Sequence, residues 1–494
     1  MHAPRFPVLG RLALGASSAL LASCAVGPDF VKPGAPSASR FTHAAPELAT
    51  LDADKNPQHL ASGNPLNDGW WRLFKSDALD AVMAQSLANN PSLQAAEASL
   101  RQSRDTLRAG YGVFYPHAQA ALDASREHTA AATEGLATPS ETFTLVTLTG
   151  SVSYALDVFG GQRRTVEGLR AAVQYQRFEA AAAYLSLSAN VVDTSIARAA
   201  YRGEILATQR ILALQHEQLD LIEVQYHSGT AAYSSVLAQV GLITANEALL
   251  APLRQKADEA DDLLSSLEGE VPSASSLPDI DLTTLAVPAE LPLSLPSDLV
   301  RQRPDILAAE AQLHEASANI GVATAALFPS FSLSGTYGGS GSGLGTVTPS
   351  SGRFWSVGPT ATIPLFQGGS LWYGRKAAME AFQQSQATYR LTVLAAFAQV
   401  ADCLHALEHD AQALRSQVSA RDAADQSLAL LQANYRAGIA AYADVLGADV
   451  QAHQASANYL QALAQRHQDT VALFAALGGG WWNASDSAGQ VAMP

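Results

Sequence analysis

The strongest constraint on the fold is that the chain repeats itself. Pro91 to Pro116 align without a gap on Pro304 to Pro329, 213 positions later, and seven of these 26 positions are identical. Further on, Tyr226 to Leu237 match Tyr435 to Leu446 at seven of twelve positions. Two unrelated alanine-rich helices resemble each other by composition, but they do not share prolines, tyrosines and glycines in the same order. The 494-residue chain is therefore predicted to contain two copies of one structural unit.

Each copy begins with a helix and continues with two segments in which apolar residues alternate with polar ones. This is the pattern of a β-strand with two different faces. The segments run over residues 118–124 and about 142–158 in the first copy, and over 330–337 and 355–365 in the second. Tyr337 and Trp355 lie near strand ends, where an aromatic girdle is expected. Glycine-, serine- and threonine-rich stretches, 131–141 and 338–353, are predicted to be the connecting loops.

A long stretch without proline follows each strand pair, from Arg163 to His227 and from Gly374 to Ala437. A helix of about 65 residues is roughly 95 Å long. In the second copy, apolar residues recur at alternating spacings of four and three, as in a coiled-coil seam: Val400, Leu404, Leu407, Ala411, Leu414 and Val418. The chain then turns at Gly229 or Gly438 and returns as a second helix. The predicted fold class is an α+β membrane protein with two tandem repeats, each a β-hairpin plus a long antiparallel α-helical hairpin.

The N-terminus has the features of an export signal. Arg5 and Arg11 precede or flank the apolar run Leu12 to Leu21, and residues 1–23 are predicted to be a signal peptide. The sequence Leu21-Ala22-Ser23-Cys24 resembles the bacterial lipobox, so Cys24 is predicted to carry diacylglyceryl and N-acyl lipid. No later segment has about 18 uninterrupted apolar residues, which predicts that no helix spans the membrane. A chain that crosses a bilayer without such a helix does so as β-structure.

Proline-rich segments separate the copies and divide the chain. Residues 24–68 are predicted to be a lipid-anchored extended segment and 269–297 a Pro-rich linker. The two repeats then occupy residues 69–268 and 298–477, and residues 478–494 are predicted to be a flexible C-terminal tail.

The strand count requires several chains. Four strands cannot close a barrel, and an open edge in hydrocarbon leaves backbone groups unpaired, at a cost of several kcal/mol each. Eight strands enclose an interior that side chains fill. A conducting pore therefore favours twelve strands from three chains.

Charge and motif content argue against nucleic-acid binding and catalysis. The formal net charge is −15, without the basic surface that nucleic acid requires. His405, Glu408 and His409 fit a zinc-peptidase pattern, but they lie within the predicted long helix. In the first copy, the positions that match the two histidines are Ile196 and Ala200. No set of acid, base and nucleophile converges. The sequence predicts no enzyme, no catalytic residue, no metal and no cofactor apart from the lipid on Cys24.

Several motifs in combination resemble the TolC-like outer-membrane efflux protein family, and within it the NodT-type lipoprotein branch. They are Cys24 to Phe30, Leu156 to Gly161, Arg301 to Leu313 and Leu327 to Phe331. The resemblance implies a homotrimer anchored in outer-membrane lipid, with a 12-stranded β-barrel and a long periplasmic α-helical barrel. It also implies two partners, a periplasmic adaptor protein and an inner-membrane pump, often of the resistance–nodulation–division type. The chain would then be a passive exit duct for what the pump delivers.

In that family the two Tyr-x-x-Gly turns form a periplasmic tip, where the helices close the pore and the adaptor docks. The resemblance assigns this tip to Tyr226, Gly229, Tyr233, Tyr435, Gly438, Tyr442, Asp444, Val445 and Leu446. Gly447 stands where the family often has an acidic residue, and Ala440 stands where some members have a basic one. The position that matches Asp444 in the first repeat is Ser235. Asp444 and Asp449 are the remaining acidic candidates. We expect the tip to close mainly by helix packing, with few ionic ties and with asymmetry between the repeats.

Other functions stay open at this level. The same duct could belong to a metal-ion efflux or type I protein secretion system. A protein from a different class, a structural coiled-coil lipoprotein of the envelope, would also contain the long helices. Such a scaffold has no need of strands with a Ser/Thr face, which favours the duct. The exported substrate, the identity of the pump and adaptor, and the ion selectivity do not follow from the sequence.

Overall fold

A computed structural model describes residues 25–36, 38, 40–42, 58–62, 66–129, 141–347 and 350–483. The predicted signal peptide, Cys24 and residues 484–494 lie outside the described residues. The chain divides into two compact units. Unit 1 comprises residues 1–33, 101–175 and 309–389; unit 2 comprises residues 34–100, 176–308 and 390–494.

The order of elements repeats along the chain. The first half contains β1 (His59–Ser62), α1 (Asp77–Asn89), α2 (Pro91–Gly110), β2 (His117–Thr129), β3 (Glu141–Leu156), α3 (Gly161–His227) and α4 (Tyr233–Leu267). The second contains β4 (Glu290–Leu293), α5 (Pro296–Gln302), α6 (Pro304–Ala325), β5 (Ser330–Gly341), β6 (Arg353–Thr362), α7 (Ser370–Arg436) and α8 (Tyr442–Ala476). Helices α3 and α7 both have 67 residues, and α4 and α8 both have 35. This agreement in length confirms the duplication and the predicted helical hairpins.

Unit 1 contains a four-stranded antiparallel sheet with the order β2-β3-β5-β6. The strands lie close to their predicted places, but the predicted loop 338–353 is wrong at its start, because β5 continues to Gly341. A Cβ at Gly339 would lie 2.2 Å from the backbone oxygen of Val347, and one at Gly341 2.5 Å from that of Thr346. The glycines therefore let the following loop pack directly on the strand. Strand β6 also ends at Thr362, three residues earlier than predicted.

The predicted seam of α7 is buried in unit 2. Val400, Leu404, Leu407, Ala411 and Leu414 are each no more than 6% exposed, and Val418 is half-buried. The α4 and α7 helices also contain 18-residue windows with mean hydropathy of 1.4 and 1.3, which by length and composition alone would suit a membrane span. The buried face of α4 includes Gln239 and Asn246, which bond to α3. Burial of amide side chains against a partner helix is expected of a helical hairpin.

Segments predicted to be extended are partly ordered in unit 2. Strand β1 pairs in parallel with β4, within the predicted Pro-rich linker. The buried Gln58 side chain donates to the Pro288 carbonyl at 3.1 Å and accepts from Arg466 at 2.9 Å. Residues 478–483, the start of the predicted flexible tail, are also packed: the Trp481 indole donates to the Gln302 carbonyl at 2.8 Å. These contacts are long-range, so local composition did not indicate them.

Candidate channel lining and gate

The sheet of unit 1 has one apolar and one polar face. Residues directly opposite in the register share a face, and both faces are solvent-accessible along much of the sheet in the single chain. The apolar face includes Ala118, Ala120, Leu122, Leu148, Val152, Leu156, Leu333, Tyr337, Trp355 and Val357. The opposite face includes Gln119, Asp123, Thr147, Thr149, Ser151, Ser153, Ser332, Ser334, Thr336, Ser356 and Thr360. This division confirms the predicted alternation and suits a sheet with lipid on one side and water on the other.

The exposure of the apolar face requires a non-aqueous neighbour. Leu122, Val357 and Trp355 are 58%, 67% and 73% exposed. A continuous apolar surface of this kind is rare on a soluble monomer and marks contact with a membrane or another protein. Tyr337 lies directly opposite Trp355, so the two residues predicted for an aromatic girdle form a cross-strand pair.

The sheet is open at both edges. Strands β2 and β6 each have a neighbour on one side only among the described strands. Unpaired backbone groups on these edges are costly in hydrocarbon and are satisfied only when the sheet closes with other copies.

In unit 2, the two helical hairpins turn by the same backbone mechanism. Gly229 and Gly438 have φ angles of +76° and +74°, a left-handed conformation that glycine adopts without strain. The Gly229 amide donates to the Tyr226 carbonyl and the next amide to the Gln225 carbonyl, both at 2.9 Å, and Gly438 is bonded in the same way. This pair of backbone hydrogen bonds is the Schellman motif that ends many helices.

A tyrosine pair spans each turn. The rings of Tyr226 and Tyr233 are 5.3 Å apart between centroids, and those of Tyr435 and Tyr442 are 5.4 Å apart. The sequence-predicted tip residues are thus brought together within each repeat.

The two repeats are also joined at the tip by hydrogen bonds. The Tyr435 hydroxyl donates to the Gln225 side-chain oxygen at 2.5 Å, and the Tyr442 hydroxyl donates to that of Gln239. Among the described residues, no ion pair involves 217–246 or 432–449. How the assembled tip closes stays a prediction; within one chain, neutral hydrogen bonds join the two repeats there. Sequence reasoning missed both glutamines, because no periodicity marks a residue that bonds across the repeats.

Asp444 and Ser235 explain one difference between the repeats. The Asp444 carboxylate accepts the Ala441 amide at 3.2 Å and so caps the start of α8. In helix α4, no bond from the Ala232 amide to the Ser235 side chain, at the matching position, is present. Asp444 is exposed, while Val445 is 1% exposed and Leu446 half-buried. The acidic residue predicted for the gate thus has a local role in helix capping.

Asp449 lies in a buried polar network behind the turn. It is fully buried, and one carboxylate oxygen accepts from the Gln215 side-chain amide. Gln215 in turn accepts from Asn246 at 3.1 Å and, through its backbone carbonyl, from Gln239 at 2.6 Å. The other Asp449 oxygen, Oδ1, has no hydrogen-bond partner among the described residues. Burial raises the pKa of Asp449, which favours its neutral form.

The zinc-peptidase-like pattern does not form a metal site among the described residues. His405, Glu408 and His409 lie on the exposed side of α7. No group of three or more potential ligands is present in the part of the chain that the structure describes.

The residues that follow Cys24 are fastened to unit 1. The Val26 amide donates to the Phe159 carbonyl at 3.0 Å, and Arg164 pairs with Asp29 at 2.7 Å. The Phe30 ring stacks on His314, with centroids 4.3 Å apart. Val26, the first of these bonded residues, lies two positions after Cys24, so an acyl group on Cys24 would be attached close to the unit that contains the two-faced sheet.

Known proteins are similar to this chain in both sequence and fold. The family model "Outer membrane efflux protein" matches residues 82–270 and 295–479. The chain is 29% identical to the pyoverdine export outer membrane protein OpmQ of Pseudomonas aeruginosa, over 88% of this chain and 93% of that protein. It is 28% identical to nodulation protein T of Rhizobium leguminosarum bv. viciae, over 95% and 94%.

The fold agrees with that of a solved channel. The outer-membrane channel OprN superimposes with a TM-score of 0.83 and 27% identity, over 93% of this chain and all of that one. Family and fold are those of channel proteins that reside in the outer membrane. Since the family model covers both repeats, the chain belongs to the outer membrane efflux protein family.

Proposed function

We propose that this protein is the outer-membrane exit duct of a tripartite efflux system and works as a homotrimer. Three sheets of four strands close into a 12-stranded β-barrel, and the duplicated helical hairpins of the three chains form a periplasmic α-helical barrel. The duct is passive: a periplasmic adaptor and an inner-membrane pump, of the resistance–nodulation–division type, deliver the substrate.

The two-faced sheet is the observation that carries this proposal. Its Ser/Thr face is suited to line water, and its apolar face is suited to contact lipid. A structural lipoprotein would have no use for such a division. The open edges at β2 and β6 supply the reason for assembly, because they are satisfied only by further copies.

The lipid on Cys24 is part of the proposal. Its support is the lipobox-like sequence and the docking of residues 25–32 on unit 1, where Lys32 also pairs with Glu310 at 2.7 Å. These contacts hold the residues that follow the proposed lipid on unit 1, the unit that contains the sheet.

Exposed apolar side chains near the two turns support the proposed docking of an adaptor at the tip. Tyr233, Leu237 and Ile439 are 55%, 54% and 77% exposed at or near the two turns. Large apolar side chains at such a site are typical of protein-binding surfaces.

Planar-bilayer recording of the full-length protein tests this function. We expect the wild-type trimer to conduct rarely, and the double variant Tyr435→Phe and Tyr442→Phe to open more often. Each change keeps the ring but removes one hydrogen bond, worth about 1 kcal/mol or roughly a fivefold change in the closed-to-open ratio.

The matched control is Tyr226→Phe with Tyr233→Phe, whose hydroxyls bond to none of the described residues. These changes should leave the opening frequency unaltered. Trimers that never conduct, in the wild type or the double variant, would favour a structural lipoprotein instead.

A further inference from the structure

A cavity of about 510 Å³ lies among three helices of unit 2. Its α3 wall runs from Asn190 to Tyr201, its α4 wall runs from Lys256 to Leu267, and Gln468 of α8 lies beside them. On α3 and α4 the lining residues follow one another at spacings of three, one, three and four, so each helix contributes a single face. The volume lies within the range of about 300–1,000 Å³ that is usual for small-molecule sites.

The duplicated scaffold does not require this cavity. In the second repeat, 209 positions later, Lys256 is matched by Gln465 and Leu263 by Ala472. The ammonium group and the large apolar side chain are therefore particular to the first repeat. Residues needed only to build the helical hairpin would be expected in both copies.

Three charged side chains line the cavity, and two of them have partners. The Lys256 ammonium lies 5.6 Å from the centroid of the Tyr201 ring, and Glu259 accepts from the Gln255 side chain at 2.8 Å. Among the residues that the structure describes, the third, Asp193, has no hydrogen-bond partner at Oδ1 and forms no ion pair. The cavity therefore contains one carboxyl group without a counter-charge.

The surroundings of Asp193 favour a cation beside it. Asp193 is half-buried, and burial together with the nearby Asp469 of α8 raises its pKa to about 6. At neutral pH most Asp193 side chains are still ionised, although water solvates them incompletely. A cation that enters the cavity relieves this unfavourable state, because it supplies the charge that the chain itself does not.

The other walls decide which kind of cation fits. Ala197, Ala260, Leu263 and Leu267 are apolar, and Leu263 is 50% exposed, so an apolar compound can reach them from solvent. A metal ion needs several ligands, and the described part of the chain contains no group of three or more His, Cys, Asp or Glu side chains that could hold one.

We infer that this cavity binds a small organic ammonium compound, with its cationic group at Asp193 and its apolar part against Leu263 and Leu267. The bound compound contacts α3, α4 and α8 of one chain. Such binding does not require the proposed duct to conduct.

Fluorescence anisotropy of dansylcadaverine, an alkyl ammonium with an aromatic dansyl group, tests this site in the full-length protein. We expect saturable binding, which the uncharged N-acetyl form of the probe does not show. Asp193→Asn keeps the shape of the side chain and should weaken binding about tenfold, because the ammonium loses its charged partner. Leu263→Ser, at the exposed rim, should also weaken binding, since the dansyl group loses apolar contact.

The matched control is Asp262→Asn, which removes an exposed carboxylate of α4 that does not line the cavity. This variant should bind the probe as tightly as the wild type does.

The pH dependence of binding separates Asp193 from the other titratable groups around it, which are Asp469 on α8 and Lys256 and Glu259 on α4. The ammonium binds the ionised form of Asp193, so the affinity should rise from pH 5 to pH 8. The Asp193→Asn variant should lose most of this rise.

Absence of saturable binding to the wild type would overturn the inferred site, and so would equal affinities of the wild type and Asp193→Asn. Conductance of the same preparations reports separately on the proposed function. A conducting trimer that does not bind the probe overturns the site and leaves the duct intact, whereas a protein that binds the probe but never conducts overturns only the duct.

Discussion

At the scale of single residues, the tip is held by neutral hydrogen bonds around one buried carboxyl group. Asp449 accepts a hydrogen bond from the Gln215 side chain, which in turn bonds to Asn246, and its titratable neighbour is His453. Burial lowers the pKa of His453, although Asp449 opposes this, so the imidazole tends toward its neutral form. Among the residues that the structure describes, ionised Asp449 therefore lacks a strong cationic partner.

The pKa of Asp449 gives the tip a pH dependence with a defined sign. Burial raises this pKa in the folded tip, so the protonated form is favoured there relative to the locally opened form. The stabilisation is full below the ordinary carboxyl pKa and is lost as the pH rises through the raised value. We expect amide protection factors in 442–452 and 233–246 to fall from pH 5 toward neutral pH and above.

The Asp449→Asn variant should abolish that decrease, because the amide cannot ionise. Hydrogen exchange measured at several pH values checks the expectation, and Asp444→Asn is the matched control, since Asp444 is exposed on the same helix. A wild-type protection that does not change with pH, or one that changes equally in the Asp449→Asn variant, would contradict the assignment.

At the scale of elements, the long helices and the strands could be predicted, because their signals are local. The absence of proline marked α3 and α7, heptad spacing marked α7, and alternation marked the strands. The extension of β5 through Gly338 to Gly341 could not be predicted, since glycine has low strand propensity and the reason is a loop packed on it. The bonds of Gln225 and Gln239 also escaped, because they depend on the register between two repeats.

Gly339 provides an element-scale prediction with a control in the same strand. A Cβ at Gly339 would meet the Val347 backbone, whereas a Cβ at Gly335 has no atom nearer than 3.7 Å. We expect Gly339→Ala to destabilise the sheet and its loop by about 1–3 kcal/mol, as overpacking does.

Gly335→Ala should be neutral or mildly stabilising, because it only removes backbone freedom from the unfolded chain. Thermal dissociation of the trimer and limited proteolysis within 342–352 measure both variants. Equal behaviour of the two would show that the loop does not pack on Gly339 as described.

At the scale of the whole molecule, the single chain leaves backbone groups and apolar side chains of its sheet without neighbours. The sheet has two open edges among the described strands, and one of its faces is apolar and exposed. Duplication and two-faced strands allowed the trimer to be predicted from the sequence. The packing of Gln58 and Trp481 could not be predicted, because their partners Pro288, Arg466 and Gln302 lie far away along the chain.

The proposed lipidation of Cys24 belongs to this scale because it would fix the molecule in its membrane. We expect Cys24→Ser to prevent acylation and lipoprotein processing, so that the mass of two lipid additions is absent from the purified protein. Intact mass spectrometry measures this directly, and Cys403→Ser, at a buried position, is the control that should retain the lipid. Equal masses for the Cys24→Ser variant and wild type, apart from the substitution, would show that Cys24 is not acylated.

We propose that the Ser/Thr face of the sheet lines a water-filled channel and that the other face contacts lipid. The most direct test is block of planar-bilayer current by a charged thiol reagent, in a Cys403→Ala background. Ser334→Cys and Leu333→Cys are neighbours in β5 on opposite faces. We expect the reagent to reduce the current through Ser334→Cys and to leave the current through Leu333→Cys unaffected. Block at Leu333→Cys with none at Ser334→Cys, or equal block at both, would contradict it.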